Sequence, residues 1–145
     1  MPKELFSKEE IKQIEAAIKQ AETNTSGEIR VHIERHIKED VLDHAAFIFE
    51  KLEMHKTELR NGVLFLVVID DRQLAIIGDA GINAKVKEGF WDEIRDHMVE
   101  NFKQGKYTKG LIDGILMAGK ALKEHFPYDK KSDKNELSDE ISFGK

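Results

Sequence analysis

The chain has 145 residues, the size of one domain, and contains no cysteine, which excludes a disulfide framework and a thiolate metal site. Its net charge of −5 argues against binding nucleic acid through the phosphate backbone. No run of about 18 apolar residues occurs and the N-terminus lacks an apolar signal segment, so we expect a cytoplasmic, monomeric protein without a membrane partner.

The first half of the chain is predicted to form two helices and one strand. Ser7 and Glu10 have the spacing of a capping box, and apolar residues at helical spacing follow over about 8–22. Apolar and polar residues alternate over 27–34, which predicts a strand with one solvent-facing side or a strand at a sheet edge. Asp40 is placed to cap the second helix.

The second half is predicted to contain a hairpin followed by helices. The apolar run that begins at Gly62 is rich in β-branched residues and indicates a strand buried on both faces, and a second strand over 73–78 returns beside it. A helical region from about 82, interrupted at Gly89, and a last helix over about 108–125 follow. The polar composition beyond them predicts a domain over 1–127 and a disordered polar tail over 128–145.

The order of these elements predicts which polar segments meet. A parallel crossover between strands 27–34 and 62–70 would place helices on both faces of the sheet. The starts of these two strands and the end of strand 73–78 would then lie at one sheet edge. Residues 26–28, 60–62 and 78–81 are therefore expected to converge there.

The side chains of this edge predict a divalent-cation site. Glu28 and Asp79 offer carboxylates, and Ser26 and Asn61 offer neutral oxygens, which are ligands that Ca²⁺ and Mg²⁺ prefer. The glycines at 78 and 81 allow close backbone approach where a helix begins, and Arg60 adds a positive charge for an anion such as phosphate.

Structural interpretations of the same residues stay open. Asp79 is also in place to form a turn or cap a helix, Glu28 to be an outward-facing strand carboxylate, and Arg60 to pair with a surface acid. Asp70 and Asp71, in the hairpin turn at the opposite end of the sheet, form a weaker cation candidate.

Other chemistries find little support. His32 and His36 are too far apart on one strand face to share a metal, the remaining histidines are scattered, and no His-Glu-x-x-His occurs, so a zinc site is not expected. The chain also lacks Gly-x-Gly-x-x-Gly, a Walker loop and Gly-x-Ser-x-Gly, which are typical of dinucleotide sites, P-loops and nucleophile elbows.

The chain resembles the TPM domain family over about residues 6–126. The resemblance rests on Ser26-Gly27-Glu28-Ile29, Arg60-Asn61-Gly62-Val63-Leu64, Ile77-Gly78-Asp79-Ala80-Gly81-Ile82 and the late Phe102-x-x-Gly105-x-Tyr107-x-x-Gly110 segment, followed by Gly114. It implies a three-layer α/β/α sandwich with a Rossmann-like mixed sheet of about four strands. It also implies divalent-cation binding and, in some members, phosphatase activity on phosphoesters or nucleotide polyphosphates.

When the site residues of the family are transferred by position, the resemblance implies a role for each candidate residue. Asp79 is expected to be the chief metal ligand, Glu28 a ligand or the base for an attacking water, and Asp113 a more distant ligand. Arg60, Asn61 and Gly81 are expected to contact a phosphate-containing small molecule. The chain offers no dedicated nucleophile, so a cation-activated water would be needed. The alternative is a non-catalytic module that binds Ca²⁺ or Mg²⁺ and an unknown protein partner.

Overall fold

A mixed four-stranded sheet forms the centre of the protein, in a computed structural model that describes residues 6–128 and 139–144. In chain order the elements are α1 (Lys8–Glu22), β1 (Glu28–Glu34), α2 (Val41–Lys51), a short 3-10 helix (Met54–Lys56), β2 (Gly62–Val68), β3 (Gln73–Gly78), α3 (Ala80–Asn83), α4 (Phe90–Lys103), α5 (Tyr107–His125) and β4 (Ser142–Phe143).

The sheet has the strand order β3-β2-β1-β4. β1 lies parallel to both β2 and β4, whereas β2 and β3 form the antiparallel hairpin. The predicted parallel crossover between β1 and β2 is therefore confirmed, and so is the hairpin.

Helices cover both faces of this sheet. α1, α4 and α5 pack over the face that carries Ile29, Val31, Ile33 and Phe65, and α2 packs over the face that carries Leu64 and Leu66. All seven residues of β2 are buried, because that strand has neighbours on both sides and helices on both faces. The predicted α/β fold is confirmed.

Local signals explain where several helices begin. α1 starts with the predicted capping box, in which Ser7 and Glu10 each accept a hydrogen bond from the other's backbone N–H. Asp40 caps α2 by accepting from the N–H groups of Leu42 and Asp43. Gly89 adopts a left-handed φ of +81° immediately before α4, so it does interrupt the helical region after β3.

β1 differs from the prediction of a strand with a wet face or at an edge. It is an interior strand, and Glu28 and His32 are only 2% and 5% exposed. At His32 the reason is β4, which pairs with His32 and Ile33 along the side that the sequence pattern leaves without a partner, whereas Glu28 lies at the other end of the strand and pairs with Gly62 of β2.

The predicted disordered tail is wrong for residues 139–144. Ile141 is buried in the main core, and Ser142–Phe143 form a strand on β1. These few residues suffice because one apolar anchor and a strand ladder stabilise them. The predicted tail over 129–138 and at 145 lies outside the described residues. Among those described, no helix is both long and apolar enough to cross a membrane.

Candidate functional site

The sheet edge brings together the three segments that the sequence predicts to converge. Glu28 pairs with Gly62 in the β1–β2 register, and Val63 pairs with Gly78 in the β2–β3 register. The Asp79 N–H donates to the Gly62 carbonyl at 2.9 Å, which continues the ladder past the end of β3. Glu28, Asn61 and Asp79 are all buried at this edge.

Asp79 is engaged in a bidentate ion pair with Arg60. Arg60 Nε donates to Asp79 Oδ2 at 2.7 Å, and the Arg60 terminal nitrogen donates to Oδ1 at 2.9 Å. The same Oδ1 accepts from the N–H of Ala80 at 2.7 Å, so Asp79 also caps α3. The hydrogen bond to Asp79 raises the pKa of the Arg60 guanidinium, so it stays charged. Both structural interpretations of Asp79 and Arg60 therefore describe contacts that are present.

Gly81 is required by packing of the backbone. A Cβ atom at this position would lie 2.1 Å from the Leu59 carbonyl oxygen and 2.6 Å from that of Arg60. Its N–H donates to the Arg60 carbonyl at 2.8 Å. The glycine therefore has a structural explanation that involves no substrate.

Asp113, expected as a distant metal ligand, does not join Glu28 and Asp79. Its Oδ2 accepts from His97 Nε2 at 2.8 Å and from Lys109 Nζ at 2.6 Å. Burial would raise the pKa of Asp113, but these two partners outweigh burial and lower it. Along α5 it lies about 13 Å from Leu122, the residue that packs against Gly27 at the sheet edge.

A pocket of about 350 Å³ lies beside Glu28, and Asp79 is not among its lining residues. Its lining includes Lys19 and three carboxylates, those of Glu22, Glu28 and Asp139. We call it the acidic pocket. Arg60 and Asp79 line a different cavity, which they share with α2 residues. The predicted edge is therefore divided into two sites.

Glu22 is the electrostatically perturbed group of the acidic pocket. Its Oε2 accepts from the N–H of Ile29 at 2.8 Å. Burial, a hydrogen bond with Asp139 and the negative charges of Glu28 and Asp139 raise the pKa of Glu22 to about 10. Glu22 therefore retains its proton at neutral pH, first because burial penalises its charged form and then because its hydrogen bond with Asp139 and the nearby negative charges add to that penalty.

Thr25 fixes the wall of the acidic pocket. Its hydroxyl lies 2.9 Å from the Leu122 carbonyl and accepts from the N–H of Gly27 at 3.0 Å, which ties the entrance of β1 to the end of α5. Behind Ser26, Asn61 Nδ2 donates to the Ser26 hydroxyl at 3.3 Å, while the buried Asn61 Oδ1 has no hydrogen-bond partner within the described residues.

A second cluster, which sequence reasoning missed, lies at the other end of β1. His32, Glu34 and His44 each direct a ligand atom to one point, with all three atoms within 4.8 Å of one another. Burial lowers the pKa of His32. Burial would also lower the pKa of His44, but hydrogen bonds to Glu39 and Glu34 outweigh it and raise that pKa. The sequence signal was His32-x-Glu34, which places both side chains on one strand face.

The comparisons with known proteins identify one family. Residues 2–121, most of the chain, match the sequence model of the TPM domain. This chain belongs to the TPM domain family. This chain is also 47% identical to the BA42 protein from the psychrophilic bacterium Bizionia argentinensis, whose NMR structure superposes on it with a TM-score of 0.89. The match covers 96% of this chain and 95% of the BA42 chain.

Two more distant NMR structures share the fold of this TPM domain. The N-terminal domain of a P. gingivalis protein is 20% identical, with a TM-score of 0.72 and 86% and 83% coverage of this and that chain. The N-terminal domain of cg2496 from Corynebacterium glutamicum is 14% identical, with a TM-score of 0.65 and 81% and 74% coverage. No curated protein sequence gives a significant match.

Proposed function

We propose that this TPM domain binds Ca²⁺ or Mg²⁺ in the acidic pocket, through Glu22, Glu28 and Asp139. The observation that carries the proposal is the grouping of three carboxyl groups around one pocket, two from neighbouring positions at the end of α1 and the start of β1 and one from the C-terminal segment. Burial is the largest cause of the raised pKa of Glu22, and the hydrogen bond with Asp139 and the charges of Glu28 and Asp139 add to it. A divalent cation would replace the proton and neutralise more of the charge.

The donor atoms of the pocket fit a hard cation. Ca²⁺ and Mg²⁺ take oxygen ligands, and the wall supplies carboxylates together with the Ser26 hydroxyl. The unpartnered Asn61 Oδ1 lies one contact behind Ser26. The ligand atoms of the three carboxylates do not all fall within 4.8 Å of one another. A cation here would therefore keep part of its water shell, as Mg²⁺ usually does.

We extend the proposal to slow hydrolysis of phosphoesters or nucleotide polyphosphates. A bound divalent cation would neutralise phosphate charge and lower the pKa of a water molecule. Glu28 is the carboxylate placed to take up a proton in the pocket, and Lys19 lines the same pocket as a cation for the phosphate. Lys19 replaces Arg60 in this role, because Arg60 is bound to Asp79 and lines the other cavity.

The alternative function is a non-catalytic cation-binding module that docks a protein partner. One observation favours it: Leu42 and Phe47 on α2 are 59% and 56% exposed, although both are large and apolar. We retain cytoplasmic location and a monomeric state as part of the proposal under either function.

The proposal is tested by calorimetric titration of the chain with Ca²⁺ and with Mg²⁺, beside Glu28→Gln and a matched control, Asp113→Asn. We expect saturable binding by the wild type and the control, and binding at least tenfold weaker in Glu28→Gln. Equal affinity in all three proteins would refute the site.

Catalysis is tested separately, by release of inorganic phosphate from nucleotides and an aryl phosphate with and without the bound cation. Metal-dependent release that is lost in Glu28→Gln would support the phosphatase. Cation binding without release would leave the interaction module.

A further inference from the structure

We propose that His32, Glu34 and His44 form a second metal site, which binds a divalent transition metal of the zinc class. The site is independent of the cation proposed for the acidic pocket. It uses nitrogen ligands, and it lies at the opposite end of β1. Glu28 and Glu34 stand at the two ends of that strand, which corresponds to a separation of about 20 Å at the rise per residue of an extended strand.

The ligand atoms already point at one another. His32 Nε2 lies 3.2 Å from Glu34 Oε2, and His44 Nε2 contacts the same oxygen. The His32 side chain is 6% exposed, and those of Glu34 and His44 are 13% exposed. Three ligand groups thus converge with little access for bulk water.

Each histidine is also held from behind. His32 Nδ1 is hydrogen-bonded to the Ser142 hydroxyl at 2.9 Å, and His44 Nδ1 is hydrogen-bonded to the Glu39 carboxylate. Histidines that ligate metals through one ring nitrogen characteristically bond a carboxylate, carbonyl or water through the other, which fixes the tautomer and the ring orientation. In both rings here it is Nε2 that faces the shared point.

The location is one where α/β sheets commonly bind ligands. The chain leaves β1 through α2 to reach β2 on one side, and it returns as β4 on the other side after α5. β1 and β4 are parallel, and the site lies at their carboxyl ends, the end of parallel strands at which α/β sheets commonly bind ligands. Glu34 ends β1, and Ser142 belongs to β4.

The C-terminal strand, β4, covers one side of the site. The Gly144 N–H donates to the Ile33 carbonyl at 2.9 Å. A Cβ atom at Gly144 would lie 2.2 Å from Glu34 Cγ, so only glycine leaves room for the Glu34 side chain in this position. Metal binding would therefore also stabilise the docking of β4.

The donor set favours zinc over calcium or magnesium. Imidazole nitrogens suit Zn²⁺ and its first-row neighbours, whereas Ca²⁺ and Mg²⁺ prefer oxygen. Two histidines and one glutamate are also the three protein ligands of a zinc site that keeps a fourth position for water or a substrate. The carboxylates of Glu34 and Glu39 supply negative charge to the site, and the nearby Lys51 supplies an opposing positive charge.

The site is tested with untagged protein, because the histidines of an affinity tag would bind the same metals. Zn²⁺ is titrated in competition with a chromophoric chelator, and Co²⁺ serves as a spectroscopic probe of ligand geometry. The variants are His44→Ala, Glu34→Gln and Glu39→Gln. The matched control is His36→Ala, which removes an exposed histidine in the loop after β1 that pairs with Asp71 of the hairpin turn. Circular dichroism verifies that each variant is folded.

We expect one Zn²⁺ per chain in the wild type and in His36→Ala. His44→Ala should weaken binding by more than the roughly 10–100-fold typical of losing a residue that is hydrogen-bonded to a metal ligand. Glu39→Gln should fall within that range. In histidine NMR spectra, zinc should shift the Nε2 signals of His32 and His44 and leave their Nδ1 atoms protonated.

The proposal is overturned if the wild type shows no saturable Zn²⁺ binding, or if folded His44→Ala binds as tightly as wild type. It is also overturned if Glu28→Gln abolishes zinc binding while Glu34→Gln does not, because the metal would then occupy the acidic pocket. Failure of Ca²⁺ or Mg²⁺ to bind leaves this result unaffected.

Discussion

Replacing Glu22 by Gln should change how the stability of the protein depends on pH. Glu22 carries a raised pKa of about 10, caused first by burial and then by its hydrogen bond with Asp139. Glutamine keeps a side-chain oxygen for the N–H of Ile29 and removes the titration. The variant therefore isolates the proton from the hydrogen bond.

The sign follows from the proton count. In the unfolded chain Glu22 has its ordinary pKa of 4.5. Between pH 4.5 and about pH 10 the folded state therefore holds a proton that the unfolded state has lost. This contribution to stability is complete below pH 4.5 and declines as pH rises towards 10. One proton corresponds to roughly 1 kcal/mol of unfolding free energy per pH unit.

The measurement is urea denaturation at pH 6, 7 and 8 in the presence of a chelator, which keeps divalent cations out of the acidic pocket. We expect the wild type to lose roughly 1 kcal/mol per pH unit relative to Glu22→Gln. Glu9→Gln, which changes an exposed residue of the same helix, is the control and should behave like the wild type. Saturating Ca²⁺ should reduce the difference, since the cation would replace the proton.

A constant difference between wild type and Glu22→Gln across this pH range would refute the reasoning. It would mean that Glu22 ionises in the folded protein and that the carboxylates of the pocket are separated by more solvent than their contacts indicate.

Two further predictions concern the frame around the sites. Gly81→Ala should lower the unfolding free energy by about 1–3 kcal/mol, because the new methyl group would overlap the Leu59 and Arg60 carbonyls. Urea denaturation measures this change in free energy, and Ala80→Gly, one residue earlier, is the control. A Gly81→Ala protein of wild-type stability would show that this backbone approach is not tight. Ile141→Ala should cost about 2 kcal/mol through loss of core packing, and amide exchange at Ile33 and Gly144 should accelerate. Unchanged exchange would show that Ile141 does not anchor β4.

The candidate site was only partly predictable from the sequence. The strand order implied by one parallel crossover and one hairpin was enough to place Glu28, Asn61 and Asp79 at a common edge. It could not show that Arg60 would close a bidentate pair on Asp79, because that depends on the conformation of Arg60, which has a left-handed φ of +52°. Nor could it show that Asp139 would join Glu22, 117 positions earlier, since no local pattern links them.

The sequence by itself determined the elements of this TPM domain: the capped helix α1, the doubly buried strand β2, the hairpin and the break at Gly89. Those features depend on side-chain periodicity, capping groups and backbone preferences, which act over a few residues. Only the tertiary structure decided that residues 142–143 pair with β1 and that His32 meets His44. The reason is physical: a short strand with one buried anchor, and ligands on separate elements, are stabilised by contacts that exist only after the sheet and helices have packed.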